Sequence, residues 1–412
     1  MRRAVITGIG VVSPLGCDLK TVWGRLLAGQ SGIRRITQFD VSKGYDSQIA
    51  GEVVEFDLDS FVGKKEQRRM DVFCHYAMGA AQLAMVDSGL DMTKEDPTRI
   101  GSNVSSGIGG LETLQNQHTV MMQKGPERCS PFMIPMMISN MASGLIAIKY
   151  NLQGPNYCTV SACASAAHSI GMAQRHIRYG EADVMLVGGA ESAVCELSLA
   201  GFGNMRALSG RNAEPTRASR PFDRERDGFV IGEGAGVLVL EEYERAKARG
   251  AKIYCEVTGF GQSCDASHIT APMESGEAGA RAMRLCMQDA GVNPEDVDYI
   301  NAHGTSTPLN DKTETKVIKL AMGEAAARKV MISSTKSMTG HLLGAAAGIE
   351  AAICAMAITQ GVIPPTINLE NPDPDCDLDY TPNTARQTRV RTALKPSLGF
   401  GGHNVCLAFK AV

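Results

Sequence analysis

The sequence contains no C-x-x-C pair, no run of about 18 uncharged apolar residues, no basic excess and no low-complexity tract, and each absence removes a class of protein. Its twelve cysteines are scattered from Cys17 to Cys406 without the spacing of a zinc site or a redox pair, so reduced, mostly buried thiols are expected. With 41 Lys+Arg against 44 Asp+Glu the net charge is −3, which rules out a broadly basic nucleic-acid binder. Any electrostatic partner must meet a local patch. Aromatic residues are only 5% of the chain, yet 44% are hydrophobic, a composition that folds and, over 412 residues, fills two or three domain-sized cores. Met1-Arg2-Arg3 leads directly into the apolar Ala4–Gly8, so neither a leader nor membrane insertion is expected, and the cytoplasm is the expected location. Nucleotide motifs are incomplete as well. Gly8-Ile9-Gly10-Val11-Val12-Ser13 lacks the third glycine of a dinucleotide fingerprint, and Ser106 to Gly110 lacks the Lys-Ser/Thr of a phosphate loop.

What the chain does have is alternation. Short β-branched runs ending in glycine, such as Ala182 to Gly189, alternate with Ala-rich helical stretches, which predicts an α/β protein with buried, largely parallel strands. The opening Val5-Ile6-Thr7-Gly8-Ile9-Gly10 has a partial echo in Val257-Thr258-Gly259-Phe260-Gly261, just past a charged helix. That echo divides the chain into two α/β halves, 1–250 and 251–412.

One cysteine stands apart. Cys163 lies in Ser161-Ala162-Cys163-Ala164-Ser165, where a strand is expected to become a helix carrying an apolar stripe of Ala166, Ile170, Ala173 and Ile177 and ending at Gly180. At a helix start, unpaired N–H groups and the dipole favour a thiolate and a developing oxyanion. Most cysteines among alanines simply fill a core, so the case rests on the rest of the chain. His303, in Asn301-Ala302-His303-Gly304-Thr305-Ser306-Thr307, and Lys336 and His341, in Lys336 to Gly344, occupy loops expected to follow strands. Residues at the carboxyl ends of strands converge on one crevice in α/β sheets, where these groups could meet Cys163. Gly399-Phe400-Gly401-Gly402 sets one aromatic among glycines, which suits either a tight turn or a mobile gate with a backbone N–H aimed at a reacting atom.

Taken in order, these segments, together with Arg220-Pro221-Phe222-Asp223 and Thr7 to Gly16, resemble the elongating β-ketoacyl-acyl-carrier-protein synthases from Val5 to about Phe409. The resemblance implies a thiolase-like fold, two duplicated halves in a five-layered α-β-α-β-α core, and a homodimer. It implies that Cys163 accepts the acyl group, that His303 and His341 promote decarboxylation and stabilise the enolate, and that Lys336 supports the site. The backbone N–H groups of Cys163 and Phe400 would form an oxyanion hole, with the Phe400 ring as gate. No cofactor would be needed beyond the phosphopantetheine carried by the substrate's acyl carrier protein.

By the same resemblance Thr305 and Thr307 would contact pantetheine, and Ile108, Phe202, Met133 and Met137 would line the acyl pocket. The basic residues Lys64, Lys65, Arg68 and Arg69, with Arg128 and Arg206, would dock the acidic carrier. Asn301 and Glu350 match positions that hold a structural cation in some relatives. The chain departs from the family at Ala164, where Thr or Ser is common, at Leu398, where Phe is common, and at His403, where many relatives have Thr. The alternatives are a polyketide ketosynthase subunit and a carrier-binding scaffold without turnover.

Overall fold

The computed structural model describes all residues from Met1 to Val412. Its main strands are β1 (Ala4–Val12), β2 (Ile100–Ser105), β3 (Val184–Glu191), β4 (Gly234–Glu242), β5 (Cys255–Cys264), β6 (Tyr299–Asn301), β7 (Met331–Ser333), β8 (Thr392–Gly399) and β9 (His403–Lys410). They hydrogen-bond in the order β2-β3-β4-β1-β5-β9-β8-β6-β7. Only β2–β3, β8–β6 and β6–β7 pair in parallel. The pairings between them are antiparallel, so the expectation of largely parallel strands is corrected to a mixed sheet. Alternation of strand and helix does not set strand direction where β8 turns back into β9 through the three residues Phe400–Gly402.

Five helices cover this sheet: α1 (Val72–Ser88), α2 (Ser165–Arg178), α3 (Glu277–Ala290), α4 (Pro308–Met322) and α5 (Ala346–Gln360). Helix α1 packs on β1, β3 and β4, while α3 packs on β5 and β9. Helices α2 and α5 touch strands of both wings, and the apolar core around them draws Ile9 and Val187 from one wing and Val257 and Leu407 from the other. Separate cores lie beneath α1 and beneath α3 and α4. The result is the α-β-α-β-α layering, with the wings joined where Ala4 to Ile6 of β1 pair with Cys255 to Val257 of β5. The apolar segment Leu343–Gln360 is long enough to cross a membrane, but it contains Glu350 and is mostly buried as the central α5 and the turn before it.

The two wings repeat one packing device. A Cβ on Gly10 would lie 1.9 Å from the Ala80 carbonyl oxygen, and one on Gly261 would lie 2.1 Å from the Ala282 oxygen. Glycine at these positions lets α1 and α3 press directly onto the strand backbone. Thr7 and Thr258 each form a bulge. The Ile9 amide donates to Asp87 on α1 at 2.9 Å, and the Phe260 amide donates to Asp289 on α3 at 3.0 Å. Close packing, bulge and carboxylate latch therefore recur together, giving the short sequence echo a physical basis.

Candidate active site

No strand leads into Cys163; residues 157–160 are irregular, and Ser161 to Ala164 form a tight turn. The Ala164 amide donates to the Ser161 carbonyl at 3.0 Å and the Ser165 amide to the Ala162 carbonyl at 3.1 Å. Ala162 is held at φ 50, a left-handed conformation that costs a non-glycine residue and projects Cys163 just ahead of α2. The expected stripe of Ala166, Ile170, Ala173 and Ile177 is fully buried, and Gly180 closes the helix at φ 78. That anchored helix fixes the thiol. Gly399 at the end of β8 crosses the turn so closely that a Cβ there would lie 2.8 Å from the Ser161 oxygen, bringing Phe400 to the same point.

His303 leaves the end of β6, and its amide and that of Gly304 donate to the Glu314 carboxylate on α4 at 2.6 and 2.7 Å. His341 follows a short turn of helix, Lys336–Thr339, and its amide donates to the Val230 carbonyl at 2.7 Å. The two imidazoles meet almost perpendicularly, with ring centroids 5.3 Å apart. The His341 Nε2 lies 3.1 Å from Cys163 Sγ, and one ligand atom from each of Cys163, His303 and His341 falls within 4.8 Å of the others. Because the Leu343 amide donates to His341 Nδ1 at 3.3 Å, the ring proton sits on Nε2 and points at the sulfur.

Burial dominates the electrostatics. It pushes the Cys163 thiol up to about 12, against the Lys336 ammonium and the backbone N–H groups of Phe400 and Cys163, which favour the anion. Burial thus opposes the thiolate that the helix start favours. Burial, followed by the Lys336 ammonium, holds His303 and His341 well below the ordinary histidine range. Burial therefore favours the neutral rings, each of which keeps one N–H to donate. The Lys336 ammonium contacts Glu350 Oε1, and burial lowers its affinity for a proton.

These groups open into a cavity of about 490 Å³ lined by Ile108, Cys163, Phe202, His303, Thr305, Thr307, His341, Leu398 and Phe400 among others. The Thr305 and Thr307 hydroxyls are 3.0 Å apart on one wall. Exposed Arg206 also lines this cavity, which places it at the mouth. Lys64, Lys65, Arg68, Arg69 and Arg128 are exposed, and the Arg69 guanidinium lies 4.7 Å from the Phe132 ring centroid. Met133 and Met137 are half-buried on the short helix Met133–Met137, whose last carbonyl accepts the Gly110 amide at 2.9 Å; neither lines the cavity of this chain. His403 lies in β9 outside it.

The expected cation site does not fit. Glu350 Oε1 is held by Lys336, and Oε2 lies 3.0 Å from Lys395 Nζ, so a metal ion would face two ammonium groups. Asn301 donates its amide to the Tyr299 hydroxyl at 2.9 Å and leaves Oδ1 buried without a partner, so the misfit rests on the two ammonium groups at Glu350. Sequence reasoning missed Lys395, Glu314 and the buried Glu191, whose carboxylate accepts the Gly107 and Gly344 amides at 2.7 and 2.9 Å and ties the cavity loop to the His341 loop. A lysine amid apolar strand residues was the one available signal for the first.

A buried thiol facing two neutral imidazoles and two converging backbone N–H groups defines a thiol-dependent acyl-condensing site. The chain belongs to the β-ketoacyl synthase family: the model of the β-ketoacyl synthase N-terminal domain matches residues 1–246, and that of the C-terminal domain matches residues 254–370. The 3-oxoacyl-acyl-carrier-protein synthase 2 of Synechocystis sp. is 54% identical over 409 residues, covering 99% of this chain and 98% of that one. Its namesake in Vibrio cholerae is 51% identical over 410 residues, 99% of each. Among solved structures, a β-ketoacyl synthase from Burkholderia phymatum superposes with a TM-score of 0.93 at 36% identity over the whole of both chains. A type II polyketide ketosynthase in complex with its acyl-carrier protein gives 0.92, also at 36% identity over both chains.

Proposed function

We propose that this enzyme elongates fatty acyl chains by decarboxylative condensation on acyl carrier protein. Acyl transfer from the carrier thioester to Cys163 Sγ forms the enzyme thioester, and the thiol proton leaves on the released pantetheine sulfur. Malonyl carrier then loses carbon dioxide. The electron pair passes to the thioester carbonyl, whose developing charge the His303 and His341 donors stabilise, so no external base is called for. The enolate carbon attacks the acyl carbonyl on Cys163, the oxyanion meets the Phe400 and Cys163 amides, and collapse expels the Cys163 thiolate, which takes up a proton from solvent and leaves a 3-oxoacyl carrier two carbons longer.

The observation that carries this reading is the paired neutral imidazoles beside one thiol. A papain-like hydrolase needs a histidine free to accept the thiol proton, whereas His341 directs Nε2–H at the sulfur. The polyketide alternative has weaker support, since the ishigamide ketosynthase/chain length factor is 38% identical while full-length relatives named synthase 2 reach 54%. A scaffold without turnover leaves the assembled cluster unused.

Lys64, Lys65, Arg68, Arg69, Arg128 and Arg206 form the docking surface for an acidic carrier, and Thr305 and Thr307 receive its pantetheine arm in this reading. Exposed apolar Phe132, Ile134, Ile138, Val160 and Leu197 support a homodimer. The halves 1–250 and 251–412 act as one duplicated unit in the cytoplasm. Cys163→Ala should abolish elongation of acyl carrier substrates, as read by mass analysis of the carrier; an alanine variant that still elongates refutes the assignment.

A further inference from the structure

Lys395 is fully buried in the middle of β8, where a leucine or methionine would satisfy the strand pattern. An ammonium removed from water is costly unless it is paired, so its surroundings should explain it. Its Nζ lies 3.0 Å from Glu350 Oε2 and also donates to the Pro396 carbonyl. The parallel pairing of β8 with β6 covers Ala393 and Leu394 and ends there, and Pro396 has no N–H to offer, so this edge of β8 carries no ladder to β6 beyond Leu394. Glu350 is shared: its other oxygen holds Lys336.

We propose that Lys395 is the built-in cation of this site, a tethered ammonium that stands where a structural metal ion would and positions the Glu350–Lys336 pair beside the Cys163, His303 and His341 cluster. Two ammonium groups share the one Glu350 carboxylate, with Glu314 as the next acidic group facing them. The Lys395 charge is felt across the site. After burial and Lys336, Lys395 lowers the proton affinity of His341; at His303 it follows burial, Lys336 and His341, and it also favours the carboxylate of Glu314, which fixes the His303 loop. Lys395 touches no reacting atom and is a positioning residue.

The inference rests on the condensing role proposed above, and the two can fail separately. Condensation is measured at constant ionic strength in potassium, sodium or choline chloride for the wild type and for Lys395→Arg, Lys395→Met and Lys395→Ser. Acylation of Cys163 is followed by mass spectrometry, and folding by circular dichroism. The wild type should run equally fast in all three salts. In choline chloride, Lys395→Ser should lose about 100-fold in kcat with little change in KM and with Cys163 still acylated, the scale of a misplaced site. Potassium or sodium should restore Lys395→Ser by at least ~10-fold but not Lys395→Met, which fills the space, while Lys395→Arg retains most activity. A wild type that itself requires potassium or sodium overturns the proposal even if no variant folds, as does Lys395→Met condensing at the wild-type rate in choline. Absence of any condensation by the wild type strikes instead at the function.

Discussion

Replacing His303 by alanine separates the two halves of the reaction. In the proposed reaction His303 donates toward the enolate, and it makes no contact with Cys163 like that of His341, whose Nε2 stands 3.1 Å from the sulfur. The His303 loop is held from the backbone, through the His303 and Gly304 amides on Glu314, so truncating the side chain leaves the loop's anchor in place. Loss of one donor to a developing oxyanion in a dry site costs roughly 3–4 kcal/mol, a fall of about 10²–10³ in rate. Condensation and malonyl decarboxylation by His303→Ala should therefore drop together by at least that factor. Acylation of Cys163 by acyl carrier protein should reach the same stoichiometry as in the wild type. Mass spectrometry of the enzyme gives the first quantity, and carbon dioxide release with carrier product analysis gives the second. Retained condensation, or a folded variant that cannot be acylated, refutes the division of labour.

Since only the neutral imidazoles can donate to a carbonyl without carrying an extra proton, and both are held well below 6.5 by burial and Lys336, decarboxylation by pre-acylated enzyme should stay flat as pH falls through 6.5 and decline only further down. An acid limb centred at 6.5 in a pH–rate profile contradicts this. Gly10→Ala should destabilise the fold by about 3 kcal/mol or prevent it, because the new Cβ meets the Ala80 oxygen at 1.9 Å. Gly24→Ala, with open space around it in the helix Leu19–Leu27, should instead stabilise by roughly 0.5–1 kcal/mol in denaturant titration. Reversing charge at Lys65 and Arg69 together should raise KM for malonyl carrier about 10-fold while leaving kcat near wild type and flattening the salt dependence of kcat/KM.

The clustered thiol and imidazoles were legible because their chemistry shows in local sequence: a cysteine among small residues ahead of an amphipathic helix, and histidines in glycine-bounded loops. The helix stripe from Ala166 to Ile177 follows from its period, and it is buried throughout. The layered architecture came through the family resemblance, whereas strand direction was misread, because the β8–β9 return depends on a three-residue turn that the alternation pattern does not encode. The opposing effect of burial at Cys163 was out of reach for a related reason. A helix start favours the anion, but burial of the thiol is set by residues far away in sequence, among them Phe229, which packs edge-on against His341 at 5.4 Å between centroids. Lys395 went unnoticed because its meaning is relational. It becomes a site residue only when α5 brings Glu350 to β8.

Burial gives these separate observations one cause. Burial pushes the Cys163 thiol up to about 12, so its anion depends on the groups gathered around the sulfur. The groups that favour that anion are already assembled: the His341 Nε2–H, the Lys336 ammonium and the Phe400 and Cys163 amides. The same desolvation keeps both imidazoles neutral without a carboxylate partner; His303 Nδ1 is buried and has no hydrogen-bond partner at all. An aspartate at that nitrogen, as in a hydrolytic triad, would stabilise the imidazolium and convert a donor into a base. Leaving Nδ1 unpaired is costly for folding. It is consistent with a ring that must donate to an enolate and must not carry off a proton. Excluding water serves the same end, because an enolate formed beside bulk water would be protonated before it reached the acyl carbonyl on Cys163.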